Sequence, residues 1–138
     1  MNIKKAHSFA IAAFALAGYS PASAADIQIS MGDARTPSII EINGAIESGD
    51  AARFYDLSQR TDKAFVFLHS PGGLVEEGLS IAAEIGLRGF TTIVAAGAEC
   101  YSICAVIWVS GDSRIMDSTS AIGVHAAYRN EAMADGTS

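Results

Sequence analysis

The sequence predicts an α/β fold with mostly parallel strands, on three observations. Short runs rich in β-branched residues alternate with longer stretches of helical periodicity, in the order strand–helix–strand–helix–strand–helix–strand. The run KAFVFLH at 63–69 is almost continuously apolar, as expected of a strand covered on both faces of its sheet. Two of the strands end in small or glycine-bearing breaks, SPGG at 70–73 and residues 97–102, and sites in open α/β sheets gather at such carboxyl ends.

With 138 residues, the chain has room for one domain. Lys4 and Lys5 precede an apolar stretch from Ser8 to Gly18, and Ala22-Ser23-Ala24 then supplies a small-x-small pattern. This reads as a signal peptide over 1–24, cleaved before Ala25, followed by one domain over 25–138. The apolar stretch is shorter than the roughly 20 residues that span a bilayer. No cysteine stands at the cleavage position to carry a lipid. The expectation is an exported bacterial protein, periplasmic or secreted, with no stable membrane anchor after cleavage.

Residues 25–37 read as an irregular or weakly extended lead-in ending at Pro37. SIIEINGAI (38–46) is a β-branched strand. The next stretch, from Ser48 to Arg60, puts Ala51, Phe54, Tyr55 and Leu57 near one helical face, with Ser48 or Asp50 as its cap. After the 63–69 strand and SPGG, LVEEGLSIAAEIGLRG spaces Leu74, Val75, Leu79, Ala82, Ala83 and Ile85 as a helix that stops at Gly89. FTTIVAAG (90–97) is the third strand. YSICAVIWVSG (101–111) is a helix apolar nearly all round, hence expected to be buried. SRIMD and AIGVHAAY are short extended pieces, and the tail RNEAMADGTS is polar.

The net charge of the whole chain is −6; removing the leader takes two lysines away and leaves 7 basic against 15 acidic side chains. So acidic a domain argues against a nucleic-acid partner, whose phosphates call for basic patches.

Ser102 stands between Cys100 and Cys104, where a strand gives way to a helix. A serine there lies near the positive end of the helix, beside an Ile103 N–H that the helix leaves unpaired. Helix capping is the ordinary role of such a serine. His125, ending AIGVH, is of the right type to act as its general base, and His69 is the competing base. In SPGG, Pro71 fixes one φ while Gly72 and Gly73 open conformations closed to other residues. The bare backbone would let a ligand approach and meet exposed N–H groups, although a plain strand-to-helix turn has the same composition.

The succession of these pieces resembles the Clp protease proteolytic subunit, within the wider ClpP/crotonase-like fold. The likeness is carried by a strand followed by SPGG, a glycine-bearing helix (LVEEGLSIAAEI), an apolar strand, and small residues before a serine-headed apolar helix. Gly111 follows Ser102 at the family's spacing, and SRIM (113–116) comes before His125. The resemblance covers roughly residues 38–128 and implies a repeated β-β-α spiral. It also implies Ser102 as nucleophile, His125 as base and the N–H groups of Gly73 and Ile103 as the oxyanion hole. An extended peptide would pair with the backbone around Gly72 and Leu74.

Three departures accompany it. Tyr101 stands where the family has a small residue, and DSTSAIGV lengthens the approach to the histidine. The third triad member and the ring-assembly segment lie beyond the histidine in the family, and no motif assigns the acid's role to Asp117, Glu131 or Asp135. The expectation is therefore a chain truncated in its carboxyl-terminal part, with a homo-oligomer conceivable but its assembly segment absent.

Cys100 and Cys104 are four residues apart. Helical geometry sets such Cα atoms about 6 Å apart, inside the disulfide range, so a bridge pinning the serine turn competes with two buried free thiols. A metal held by Cys100, Cys104 and His125 is disfavoured because no fourth ligand is evident. The leading reading is an exported serine peptidase acting on peptides without ATP, metal or other cofactor. Its rivals are an inactive scaffold of the same fold and, less favoured for an exported chain, a crotonase-type acyl-thioester enzyme.

Overall fold

The computed structural model describes residues 24–125. Strand β2 (Ser38–Asn43) alternates strictly, with Ser38, Ile40 and Ile42 turned into the core and Ile39, Glu41 and Asn43 outward. Helix α1 (Asp50–Ser58) then returns the chain so that β3 (Ala64–His69) pairs parallel to β2, Ile40 opposite Val66 and Ile42 opposite Leu68. Helix α2 (Val75–Arg88) leads to β4 (Thr91–Val94), again parallel, and β6 (Arg114–Met116) adds a further parallel strand.

The lead-in at 25–37 is more ordered than its sequence suggested. Within it, β1 (Asp26–Ser30) pairs antiparallel with β2, Ile27 against Ile42 and Ile29 against Ile40, giving the order β1-β2-β3-β4-β6. A second sheet of two short parallel strands, β5 (Glu99–Tyr101) and β7 (Ala121–Gly123), crosses the carboxyl ends of the first. Isolated bridges from Ile46 to Gly73 and from Ser70 to Cys100 extend that second layer. The chain thus winds as strand, second-layer segment and helix in repeated turns, the α/β spiral with mostly parallel strands that was expected.

The core lies between the main sheet and its helices: Ile40, Val66, Leu68 and Val94 meet Phe54 of α1, Ile81 and Ile85 of α2, and Ile107 of α3 (Ile103–Val109). At roughly 1.5–3 kcal/mol for each such side chain removed from water, this layer is the main source of stability. Two expectations are corrected. Strand β3 is buried on one face only, with Phe65 and Phe67 half-exposed on the other, because no helix covers that side among the described residues. Helix α3 likewise buries Ile103, Cys104, Ala105 and Ile107 but leaves Val106 and Val109 exposed.

Neither expected cap serves α1. Gly49, in the left-handed region at φ 93°, takes the N-cap position without a side-chain bond, and the Asp50 carboxylate accepts the Glu47 N–H at 2.8 Å. Glu77 of α2 supplies the acceptors instead, taking the N–H groups of Gly49 and Ala51 at 3.2 and 2.8 Å. Residues 1–23, nearly all of the expected leader, and the tail beyond His125, with Glu131 and Asp135, lie outside the described residues.

Candidate active site

Strand β3 ends at His69 and passes directly into the second layer. The N–H of Ser70 donates to the Glu99 carbonyl at 2.8 Å, and the Tyr101 N–H donates to the Ser70 carbonyl at 2.9 Å. The buried Ser70 hydroxyl accepts the Gly72 N–H at 3.1 Å and so sets the SPGG turn. Gly72 and Gly73 follow at φ 97° and 147°, a pairing that favours residues without a β-carbon. On one side this segment is already paired: the Ile46 N–H donates to the Gly72 carbonyl, and the Leu74 N–H to the Ile46 carbonyl, both at 2.8 Å.

The edge that remains is therefore narrower than the sequence implied. In an extended segment alternate residues point their backbone groups to opposite sides. Gly72 and Leu74 spend theirs on Ile46, leaving those of Gly73, whose N–H makes no hydrogen bond among the described residues. A β-carbon at Gly73 would stand 2.1 Å from the Ile46 carbonyl oxygen, so only glycine fits between them. Leu74 is the N-cap of α2 and keeps its side chain exposed.

Ser102 forms a sharp elbow between β5 and α3. Its φ of 57° and ψ of −126° make it the only non-glycine residue at positive φ among the described residues. It stands at the N-cap position of α3, yet its hydroxyl makes no capping bond. The ordinary role of such a serine is thus not taken up. Two backbone bonds hold the elbow: the Ser102 N–H donates to the Gly123 carbonyl at 2.8 Å, and the Ala105 N–H donates to the Ser102 carbonyl at 3.0 Å. The Ile103 N–H is unpaired among the described residues.

Neighbouring elements press on this elbow from two sides. Gly72 is so close that a β-carbon there would lie 3.3 Å from the Ser102 hydroxyl oxygen. Gly78 of α2 admits the Ile103 side chain, which a β-carbon at 78 would meet at 2.2 Å. The SPGG turn and the elbow, widely separated in sequence, are thereby packed together. Below them, Cys100 and Cys104 are joined by a disulfide with Cα atoms 5.2 Å apart. That bond removes both the free-thiol alternative and the metal alternative for these sulfurs.

His125 lies two residues beyond Gly123, at the exit of β7, with its ring exposed. Because β5 and β7 run parallel with Tyr101 opposite Gly123, the chain leading to Ser102 and the chain leading to His125 leave the second layer side by side. His69 is occupied elsewhere: its Nδ1 accepts the Glu99 N–H at 3.0 Å, which ties β3 to β5. Its other neighbours line a cavity of about 220 Å³ among Asp26, Glu41, Asn43 and Phe67, away from Ser102.

Asp117 is likewise committed. Its carboxylate accepts the Thr119 hydroxyl at 2.7 Å and the Thr119 N–H at 2.8 Å, and these bonds hold it below the usual carboxylate range. Thr119 in turn accepts the Gly97 N–H at 3.1 Å, so Asp117 shapes the turn that carries β7 to the elbow.

Two anchors escaped the sequence reading, Ile46 and Gly123. The signal for Gly123 was its size: a β-carbon there would meet the Tyr101 ring at 2.7 Å. The bulky residue before the serine is thus accommodated by an absent side chain on the adjacent strand.

Solved structures share this fold. The ClpP protease catalytic domain from Plasmodium falciparum matches with a TM-score of 0.56 at 23% identity, over 67% of this chain and 56% of its own. The chain has the ClpP-like protease fold. The 1510-N membrane-bound stomatin-specific protease matches with a TM-score of 0.51 at 19% identity, over 59% of this chain and 44% of its own. The chain therefore spans about half the length of these ClpP-like domains. No family model and no curated protein sequence matches it.

Proposed function

We propose that this ClpP-like domain is an exported serine peptidase that hydrolyses extended peptides without ATP, metal or organic cofactor. The observation that carries the proposal is Ser102: a non-glycine residue held at φ 57° whose hydroxyl leaves the helix uncapped. Non-glycine residues at such φ cost stability and cluster at sites where the backbone must present a particular group.

In this reading the Ser102 hydroxyl oxygen attacks a peptide carbonyl while His125 takes its proton. The carbonyl oxygen gains the negative charge and is met by the two unpaired N–H groups, of Gly73 and Ile103. Collapse of the tetrahedral intermediate breaks the C–N bond, and His125 returns the proton to the departing amine. Water, deprotonated by His125, then attacks the acyl-serine and restores the hydroxyl. The substrate strand would lie on the Gly73 edge, antiparallel or parallel to the segment that Ile46 pairs from the other side.

The alternative is a non-catalytic scaffold. It is favoured by one observation: the carboxylate of Asp117, the acid that precedes His125 most closely in sequence, is taken up by Thr119. Loss of the orienting acid costs a serine triad about four orders of magnitude in rate.

The deciding experiment is labelling of the exported protein with a fluorophosphonate probe, followed by peptide mapping, with Ser102→Ala and His125→Ala in parallel. Label on Ser102 that disappears in His125→Ala supports an activated nucleophile. An unlabelled protein with intact circular dichroism overturns the peptidase in favour of the scaffold.

A further inference from the structure

One buried charge has no place in the chemistry above. The Asp50 side chain, at the start of α1, is wholly removed from solvent. Its Oδ2 accepts two backbone N–H groups, from Glu47 at 2.8 Å and from Ala25 at 3.1 Å. Its Oδ1 has no hydrogen-bond partner and is the only such buried side-chain atom among the described residues. Arg53 does not supply one. Its Nη1 stands 3.7 Å from Oδ1 and donates instead to the Ala25 carbonyl at 2.9 Å.

Buried polar atoms are nearly always satisfied, and a buried carboxylate oxygen without a donor points to a group not yet supplied. The nitrogen already beside this carboxylate belongs to Ala25, the residue that the Ala22-Ser23-Ala24 pattern puts just after the expected cleavage point. Ala25 is itself fully buried in the core cluster. A peptide nitrogen there has a single hydrogen to give. An ammonium nitrogen has three.

We propose that the Asp50 carboxylate is a binding site for the α-ammonium group of Ala25, created when the Ala24–Ala25 peptide bond is cut. A processing peptidase of the export route breaks that C–N bond with one water. The hydroxyl joins the Ala24 carbonyl, and Ala25 keeps an amine that takes a proton from solvent. One N–H then stays on Oδ2 and a second reaches Oδ1. Cleavage occurs while the chain is extended, and folding closes β1 and α1 over the new terminus.

The pair would lock β1 to α1, because β1 follows Ala25 directly and Asp50 opens the helix. The other charged groups around it are accounted for. Arg53 holds the Ala25 carbonyl, Glu77 of α2 caps Gly49 and Ala51, and Asp26 accepts the Gln28 side chain at 2.7 Å. None of these replaces the missing donor to Oδ1. This site stands or falls independently of Ser102.

The test uses the full chain produced in an exporting bacterium and recovered after processing. Its amino terminus is read by mass spectrometry, and its amines are trace-acylated across a pH series in the native state and in urea. Lys63 is the only lysine after residue 24, so just two amines are compared. The expected result is a terminus at Ala25 whose acylation midpoint lies at least about one pH unit above the ordinary α-amine value near 8, about a tenfold slowing at neutral pH, abolished in urea. Burial without a charge partner would lower that midpoint. A midpoint at or below the ordinary value, or a terminus other than Ala25, overturns the proposal. Asp50→Asn, where it folds, should return the midpoint to the ordinary value; an unchanged elevated midpoint in a folded Asp50→Asn protein also overturns it.

Discussion

Gly72 lies directly against Ser102: a β-carbon on residue 72 would stand 2.7 Å from the Ser102 β-carbon and 2.8 Å from the Tyr101 carbonyl oxygen. The contact is made by backbone on one side and by the elbow on the other, so neither can give way cheaply. Gly72→Ala must therefore push the SPGG turn off the elbow, at a φ of 97° that alanine resists. The expected cost is about 2–3 kcal/mol of unfolding free energy. Urea melts would measure it, and fluorophosphonate labelling of Ser102 should fall with it. An alanine variant as stable as the wild type would show that the two segments are not in contact.

Ser102 itself predicts a gain. Its positive φ costs a residue with a β-carbon on the order of 1 kcal/mol or more, a cost that glycine does not bear. Ser102→Gly should therefore be more stable than Ser102→Ala by about 1 kcal/mol, while both lose all labelling. Two equally stable variants would mean that the elbow relaxes once the hydroxyl is gone.

Most of the spiral is legible in the sequence because its strands are short apolar runs bounded by Gly89, Gly97 and Gly111, and its helices carry regular stripes. Strand β1 was not. Its five residues, DIQIS, alternate too briefly to stand out, and what makes them a strand is pairing with β2, a partner some distance along the chain. Strand β5 was hidden for the same reason, since Glu99–Tyr101 is fixed by β7 and by Ser70 rather than by its own composition. At the site, residue types pointed to Ser102 and the glycines. The one-sided occupation of the SPGG edge by Ile46 depends on a bridge between distant residues, and no local pattern could announce it.

The Cys100–Cys104 disulfide spans the elbow, with one sulfur in β5 and the other in the first turn of α3. Closing so short a loop restricts the unfolded chain by about 2 kcal/mol. Its local effect should be the larger one, because the bridged residues flank Ser102 on both sides. Reduction with dithiothreitol, or Cys100→Ala combined with Cys104→Ala, should lower the melting temperature. It should slow labelling of Ser102 by more than the lost stability explains, even at a temperature where the protein stays folded. Unchanged labelling after verified reduction would leave the bridge a purely global staple.

Acid sensitivity should trace in part to Glu84, far from the elbow. Burial pushes its carboxyl up, but donors from Arg88, from Ser58 at 2.7 Å and from Gln59 at 3.0 Å, with the Arg88 charge, outweigh burial and hold it below the ordinary glutamate range. The folded protein thus binds this proton less readily than the unfolded chain does. The stabilisation is present in full above the unfolded-state value and is lost as the pH falls through the lower folded-state value. Between about pH 5 and pH 3, the melting temperature of the wild type should drop more steeply than that of Glu84→Gln, which has no proton to gain. Asp33 and Asp117, also held low by hydrogen bonds, titrate in the same window in both proteins, so the difference between the two curves isolates Glu84. Parallel curves would mean that Arg88 and Ser58 stabilise the neutral side chain as well as the charged one.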